Sequence, residues 1–100
     1  MNAPRIEIPH QRIAEFCRKH HIRRLAFFGS VLRDDFRPDS DVDVLVEFEE
    51  GMTPGFAFFT LDQELAGVLG RKVDLNTPAM LSKYYRNRVL REALVVYDAA

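Results

Sequence analysis

Residues 27–48, FFGSVLRDDFRPDSDVDVLVEF, contain the pattern that determines how this chain folds. An apolar run ends in Gly29-Ser30, ten residues follow, and a second apolar run opens on Asp41 and Asp43. Aromatic and β-branched runs favour strands, whereas Gly-Ser and the polar residues around Pro38 favour turns. The stretch therefore predicts two strands, with a small hydroxyl at the end of one and two carboxylates at the start of the next.

The rest of the chain continues this alternation of helices and strands. Strands are predicted at residues 23–28, 42–48, 71–75 and 94–97. Helices are predicted at residues 9–21, 56–69 and 78–93, the last interrupted at Ser82, and Ser30 is predicted to cap a short helix over residues 31–34. Gly70 is expected to end the middle helix. The order α-β-α-β-α-β-α-β predicts an α/β domain with a small mixed sheet flanked by helices.

Composition and length limit the classes of function. One hundred residues with 47% hydrophobic content predict a single globular domain over residues 1–100. A net charge of -1 argues against non-specific nucleic-acid binding. Residues 34–50 hold eight of the 15 acidic side chains, and such a segment repels phosphate unless cations intervene. Little room is left for a second domain that could grip a substrate, so we expect either that the substrate is a partner protein or that a second subunit completes the site.

Cellular location is predicted from what the sequence lacks. Cys17 is the single cysteine, so an internal disulfide framework is excluded, and its apolar neighbours predict a buried structural thiol. No signal peptide and no apolar stretch of about 18 residues is present, so a cytoplasmic location without membrane association is expected.

Asp41 and Asp43 are the first candidates for chemistry. On one strand, residues i and i+2 point the same way, so the two carboxylates converge and would repel each other without a shared cation. Mg²⁺ suits this site because it prefers hard oxygen ligands and keeps room for waters and substrate phosphates. Asp74 is a third candidate. A carboxylate between Val73 and Leu75 on a predicted strand suggests pairing or metal binding. It could act as general base if that strand lies beside the second.

Gly29, Ser30 and Arg33 are the candidates for binding phosphate. Gly29 permits close approach of the backbone, and Ser30 offers a hydroxyl at a helix start, where N–H groups favour anions. Arg33 would add a cation near the phosphates.

The spacing Gly29-Ser30-x10-Asp41-x-Asp43 is similar to the signature of the nucleotidyltransferase superfamily that includes DNA polymerase beta. The short length and the context of Arg33 and residues 38–40 resemble its minimal nucleotidyltransferases, the MntA-type antitoxins. The resemblance covers roughly residues 23–97. One departure is Asp34, where many relatives have a small residue such as glycine, and it adds negative charge near the phosphate-binding turn.

This resemblance implies a function in a toxin–antitoxin pair. The partner would be a HEPN-domain toxin, an RNase, held in a hetero-oligomer with this chain. AMP would be transferred from ATP, with Mg²⁺, onto a tyrosine of the toxin, which silences it. Asp41, Asp43 and Asp74 would be catalytic and bind metal, and Gly29, Ser30 and Arg33 would bind the nucleotide.

Alternatives remain at the level of residues. Asp39, Asp41, Asp43 and Glu50 match positions 1, 3, 5 and 12 of an EF-hand loop, but Val44 stands where that loop requires glycine. Asp74 could form a salt bridge instead of binding metal, Ser30 could be a simple helix cap, and Arg33 could be solvated. A solvated helix face is expected for Arg86, Arg88 and Arg91.

Alternatives also remain at the level of function. The domain could neutralise its partner by binding alone, without catalysis. The same transfer could act on a small hydroxyl compound or on an RNA 3′ end.

Overall fold

In the computed structural model, which describes residues 6–33 and 36–99, four strands form one sheet. They are β1 (Ile22–Phe28), β2 (Val42–Phe48), β3 (Val73–Asn76) and β4 (Leu94–Asp98), in the spatial order β3-β2-β1-β4. β1 is antiparallel to β2 and β4, whereas β2 and β3 are parallel. The predicted mixed sheet is confirmed. β2 has the predicted bounds, but β3 begins two residues later than expected and ends one residue later.

Three α-helices flank the sheet in the described ranges: α1 (His10–Lys19), α2 (Phe58–Leu69) and α3 (Lys83–Glu92). α2 begins two residues later than predicted because Gly55–Ala57 forms a separate 3₁₀ turn. Gly70 ends α2 in the left-handed conformation, as expected. The predicted interruption at Ser82 is confirmed, since its hydroxyl accepts a hydrogen bond from the Tyr85 N–H at 3.3 Å and caps α3.

The main core lies between one face of the sheet and helices α1 and α2. Val42, Val44 and Val46 alternate along β2 and are fully buried on this face. Burial of each such side chain contributes about 1.5–3 kcal/mol. Cys17 is completely buried in the same cluster, and burial raises the pKa of its thiol to about 12. It therefore packs as a neutral apolar side chain, as the sequence predicted.

A smaller core on the opposite face of the sheet positions α3. Phe28 and Leu45 pack there against Leu81 and Val89. Arg86 ties α3 to the preceding turn, because its guanidinium donates to the carbonyls of Pro78 at 2.6 Å and Leu81 at 3.0 Å. The prediction of a solvated Arg86 is therefore wrong. The sequence pattern did not indicate that the carbonyls of Pro78 and Leu81 would lie within hydrogen-bonding distance of Arg86.

Over residues 6–33 and 36–99, no helix is long and apolar enough to cross a membrane.

Candidate active site

Three neighbouring strands bring the predicted carboxylates and the Gly-Ser turn to one end of the sheet. Asp43 is opposite Phe28 in the antiparallel β1–β2 pair and opposite Asp74 in the parallel β2–β3 pair. Directly opposed residues lie on the same face of a sheet. Phe28, Asp43 and Asp74 therefore form one row across three strands, and Gly29 follows Phe28 directly at the end of this row. Asp74 was expected to be able to act as general base only if its strand lies beside β2, and β3 does pair with β2.

Gly29 lies in contact with the carboxylate of Asp43. Its backbone has φ +74°, in the left-handed region that glycine adopts without strain. A Cβ added to Gly29 would overlap Asp43 Oδ2 and lie 3.2 Å from Asp43 Cγ. Only a residue without a side chain leaves room for both the turn and the carboxylate.

Asp43 carries a carboxyl group whose ionisation is disfavoured. Its pKa is raised from 3.8 to about 6, first by burial and then by the charges of Asp74 and Asp41. A side-chain hydrogen bond with Asp74 raises the pKa further, whereas the positive charge of Arg33 lowers it. In the part of the chain that the structure describes, no salt bridge is made by Asp41, Asp43 or Asp74. The salt-bridge alternative for Asp74 is therefore not observed.

These carboxylates fit a magnesium ion by their chemistry. They are hard oxygen donors on one face, and their mutual repulsion would be relieved by a shared cation. Within residues 6–33 and 36–99, no group of three or more His, Cys, Asp or Glu side chains is already arranged as a metal site. Mg²⁺ is commonly held by one or two carboxylates together with substrate phosphates, so a closed protein cage is not required.

Asp74 and Asp41 are both more exposed than Asp43. Asp74 lies on β3, the edge strand, and faces a hollow. The lining of this hollow is Phe58, Phe59, Asp62, Asp74, Leu75 and Met80. Asp41 immediately precedes β2 and lines a separate depression with Lys72 and Asp62.

Ser30 lies inside the short 3₁₀ helix Gly29–Leu32, not at its cap. The cap position is Phe28, and no side-chain capping hydrogen bond is made there within the described residues. The prediction that Ser30 caps this helix is therefore wrong. The positive φ of Gly29 lets the turn begin two residues earlier than expected. The Ser30 carbonyl accepts a hydrogen bond from the Arg33 N–H at 2.9 Å.

Arg33 has an exposed side chain whose charge acts on Asp43. This places a cation near Asp43, whereas contact of Arg33 with a phosphate remains a prediction. Asp34, the departure from the family pattern, lies outside the described residues.

Sequence reasoning missed a second cation near Gly29. A pocket between the Gly-Ser turn and α3 is lined by Phe28, Gly29, Arg33, Tyr85, Arg88, Val89 and Glu92. Arg88 Nε donates to Glu92 Oε1 at 3.3 Å within this pocket. Arg88 is exposed, as predicted for this helix, but it faces the Gly-Ser turn. The available signal was the spacing of Tyr85, Arg88, Val89 and Glu92 at intervals of three and four, which places them together on one side of the helix.

Comparison with known proteins identifies a matching family and proteins with similar sequences. The nucleotidyltransferase domain family matches residues 10–96. Protein adenylyltransferase MntA of Thermococcus cleftensis is 39% identical over 75 residues, which cover 75% of this chain and 75% of the relative.

Solved structures of other proteins are also similar to this chain in fold. A structure described as a candidate minimal nucleotidyltransferase has a TM-score of 0.70 and 40% identity, covering 85% of this chain and 86% of that one. An MNT antitoxin in complex with tri-AMPylated Shewanella oneidensis HEPN toxin has a TM-score of 0.65 at 22% identity. That match covers 89% of this chain and 69% of the other, and at this identity it shows a shared fold.

Proposed function

Since this chain belongs to the nucleotidyltransferase domain family, we propose that it transfers AMP from ATP to a tyrosine hydroxyl of a partner HEPN-domain toxin. The transfer would silence the toxin, so the chain would act as its antitoxin in a hetero-oligomer. The observation that carries the proposal is that Asp43 and Asp74 are opposed on neighbouring strands while Gly29, at the end of β1, lies against Asp43. The named activity of a 39% identical relative and the fold shared with an antitoxin support it.

The transfer is a displacement at the α-phosphorus of ATP. The acceptor oxygen forms a bond to that phosphorus, and the bond from phosphorus to the oxygen bridging to the β-phosphate breaks. Pyrophosphate leaves with that electron pair. The acceptor proton passes to Asp74, whose exposed carboxylate is open to a hydroxyl entering from solvent.

Phosphate binding is assigned to the Gly-Ser side of the row. The Gly29 backbone, which carries no side chain, permits close approach of a phosphate, and the Ser30 hydroxyl donates a hydrogen bond to a phosphate oxygen. Arg33 and Arg88 line the adjoining pocket and provide two positive charges for the leaving pyrophosphate.

Asp41, Asp43 and Asp74 are assigned as the residues that hold Mg²⁺. When bound, the ion would neutralise phosphate charge and stabilise the charge that develops on the leaving group. The protein contributes the opposed carboxylates of Asp43 and Asp74, with Asp41 two residues before Asp43, and the disfavoured ionisation of Asp43, which a cation would reverse.

The test is label transfer from α-³²P-ATP to a purified HEPN-domain protein encoded beside this chain, with Mg²⁺ present. We expect label on a tyrosine of the partner and recovery of the partner's RNase activity after removal of the AMP. The variant Asp41→Asn with Asp43→Asn should remain folded and transfer no label. Absence of transfer by the folded wild-type chain would contradict the proposal.

Neutralisation by binding alone is the second candidate, and exposed apolar side chains favour it. Tyr84 is 86% exposed and Phe59 is 68% exposed, and such exposed aromatic side chains are suited to contact with a partner protein. This alternative predicts that the double Asp→Asn variant silences the toxin as well as the wild type does. Small hydroxyl compounds and RNA 3′ ends should be included as acceptors in the same label-transfer assay, because transfer of label to either would identify an acceptor other than a protein.

A further inference from the structure

We propose that the hollow beside Asp74 receives the segment of the partner protein that bears the acceptor hydroxyl. Phe59 and Met80 provide its apolar contacts, and Asp62 attracts a basic residue next to the acceptor. This inference rests on the proposed function. It adds the site of the acceptor and the chemistry of the sequence around it.

The position of the hollow follows from the order of the strands. Gly29 and the arginine pocket lie on the β1 side of Asp43, whereas Asp74 and the hollow lie on its β3 side. In a phosphoryl displacement, the entering and leaving oxygens lie on opposite sides of the phosphorus. Pyrophosphate directed towards Arg33 and Arg88 therefore requires an acceptor that enters from the side of Asp74.

The walls of the hollow suit an apolar peptide. Phe59 is 68% exposed and Met80 is 53% exposed, although large apolar side chains are normally buried. Phe59 is held in place by an edge-to-face contact with Phe58, with ring centroids 5.7 Å apart. Phe58 in turn contacts Phe48 of β2 at 6.2 Å. An aromatic side chain already held in position loses little entropy when a partner binds to it.

The charged residues that line the hollow restrict which segment of the partner protein can bind there. Asp62 and Asp74 are the charged residues in the lining of the hollow, and both are acidic. An acidic acceptor segment would be repelled, whereas a lysine or arginine near the acceptor hydroxyl would be attracted. The fitting segment is therefore an apolar peptide that carries a hydroxyl and a basic neighbour.

The variant Phe59→Ser tests the hollow, and Phe56→Ser is its matched control. Both phenylalanines are exposed, but Phe56 does not line the hollow. We expect Phe59→Ser to lower kcat/KM for the partner about tenfold while the Kd for ATP is unchanged, a loss that corresponds to about 1.4 kcal/mol. Phe56→Ser should remain within about twofold of the wild type, as expected for side chains outside the site that carries binding energy. Asp62→Asn should weaken transfer and reduce its sensitivity to salt.

Other outcomes would overturn the inference. A weaker Kd for ATP in Phe59→Ser, with an unchanged KM for the partner, would assign the hollow to the nucleotide base. Equal effects of Phe59→Ser and Phe56→Ser, or no effect of either, would also contradict it. A wild-type dimer that Phe59→Ser dissociates would assign the hollow to a second copy of the chain.

Direct titration of the partner against the wild type and Phe59→Ser separates the two proposals. If the wild type transfers no label, the proposed function fails, and loss of partner binding in Phe59→Ser still supports a docking site. If label is transferred equally by both proteins, the docking site fails and the proposed function stands.

Discussion

Gly29, the residue that follows strand β1, lies directly against the carboxylate of Asp43 on strand β2. Gly29 has φ +74°, and any Cβ added to it would overlap the Asp43 carboxylate. The contact joins the two halves of the Gly29-Ser30 and Asp41-x-Asp43 pattern, which are separated by ten residues in sequence. The turn and the carboxylate therefore form one structural unit.

Gly29→Ala should destabilise the fold and abolish AMP transfer, because the new methyl group would displace Asp43. The matched control is Gly51→Ala, since Gly51 has φ +76° and a Cβ added there would meet nothing within 4 Å. We expect a loss of about 1 kcal/mol in Gly51→Ala from backbone strain alone, and roughly 2–4 kcal/mol in Gly29→Ala from strain and overlap together. Urea unfolding of both variants provides the measurement, and equal losses would show that the overlap is relieved at no cost.

Asp43→Asn should stabilise the metal-free protein at pH 7. The folded-state pKa of Asp43 is raised to about 6, so ionisation of this group costs folding free energy above that pH. The stabilising contribution of the protonated group is fully present below the unfolded pKa, near 3.8, and is lost as the pH rises through about 6. The expected gain in Asp43→Asn is about 1–2 kcal/mol at pH 7, less than the full value of the shift at about 1.4 kcal/mol per unit because the site is partly solvated.

Urea unfolding in EDTA at pH 7 and pH 4 measures this effect. The gain should shrink at pH 4, where the wild-type carboxyl is largely neutral when folded. Asp39→Asn, in an exposed loop, is the control and should have little effect at either pH. Lower stability of Asp43→Asn than of the wild type at pH 7 would contradict the electrostatic explanation.

Arg88→Gln should weaken ATP binding, because Arg88 lines the pocket that adjoins Gly29 and Arg33. Loss of a charged hydrogen bond to phosphate is worth about 1.5–3 kcal/mol, so the Kd should rise roughly tenfold or more. Arg91→Gln is the matched control, since Arg91 is exposed on the same helix and does not line that pocket. Calorimetric titration with a non-hydrolysable ATP analogue and Mg²⁺ measures both. Equal Kd values for the two variants would remove Arg88 from the phosphate site.

Much of the local structure could be predicted from residue patterns. The alternation of Val42, Val44 and Val46 predicted β2 with the bounds that are observed, and Ser82 and Gly70 marked the ends of helices. Prediction failed where a tertiary contact or a special backbone angle decided the outcome. Ser30 lies within the helix it was expected to cap, and Arg86 is held by two carbonyls of a preceding turn.

The sequence by itself determined the strands, the turn and the pair of carboxylates, because side-chain periodicity and glycine conformation are local properties. Tertiary structure alone decided that β3 lies beside β2, which places Asp74 opposite Asp43. It also decided that α3 folds back to bring Arg88 to Gly29, and that Phe59 remains exposed beside Asp74. These features depend on which apolar faces bury one another across the whole chain, and no short stretch of residues specifies that.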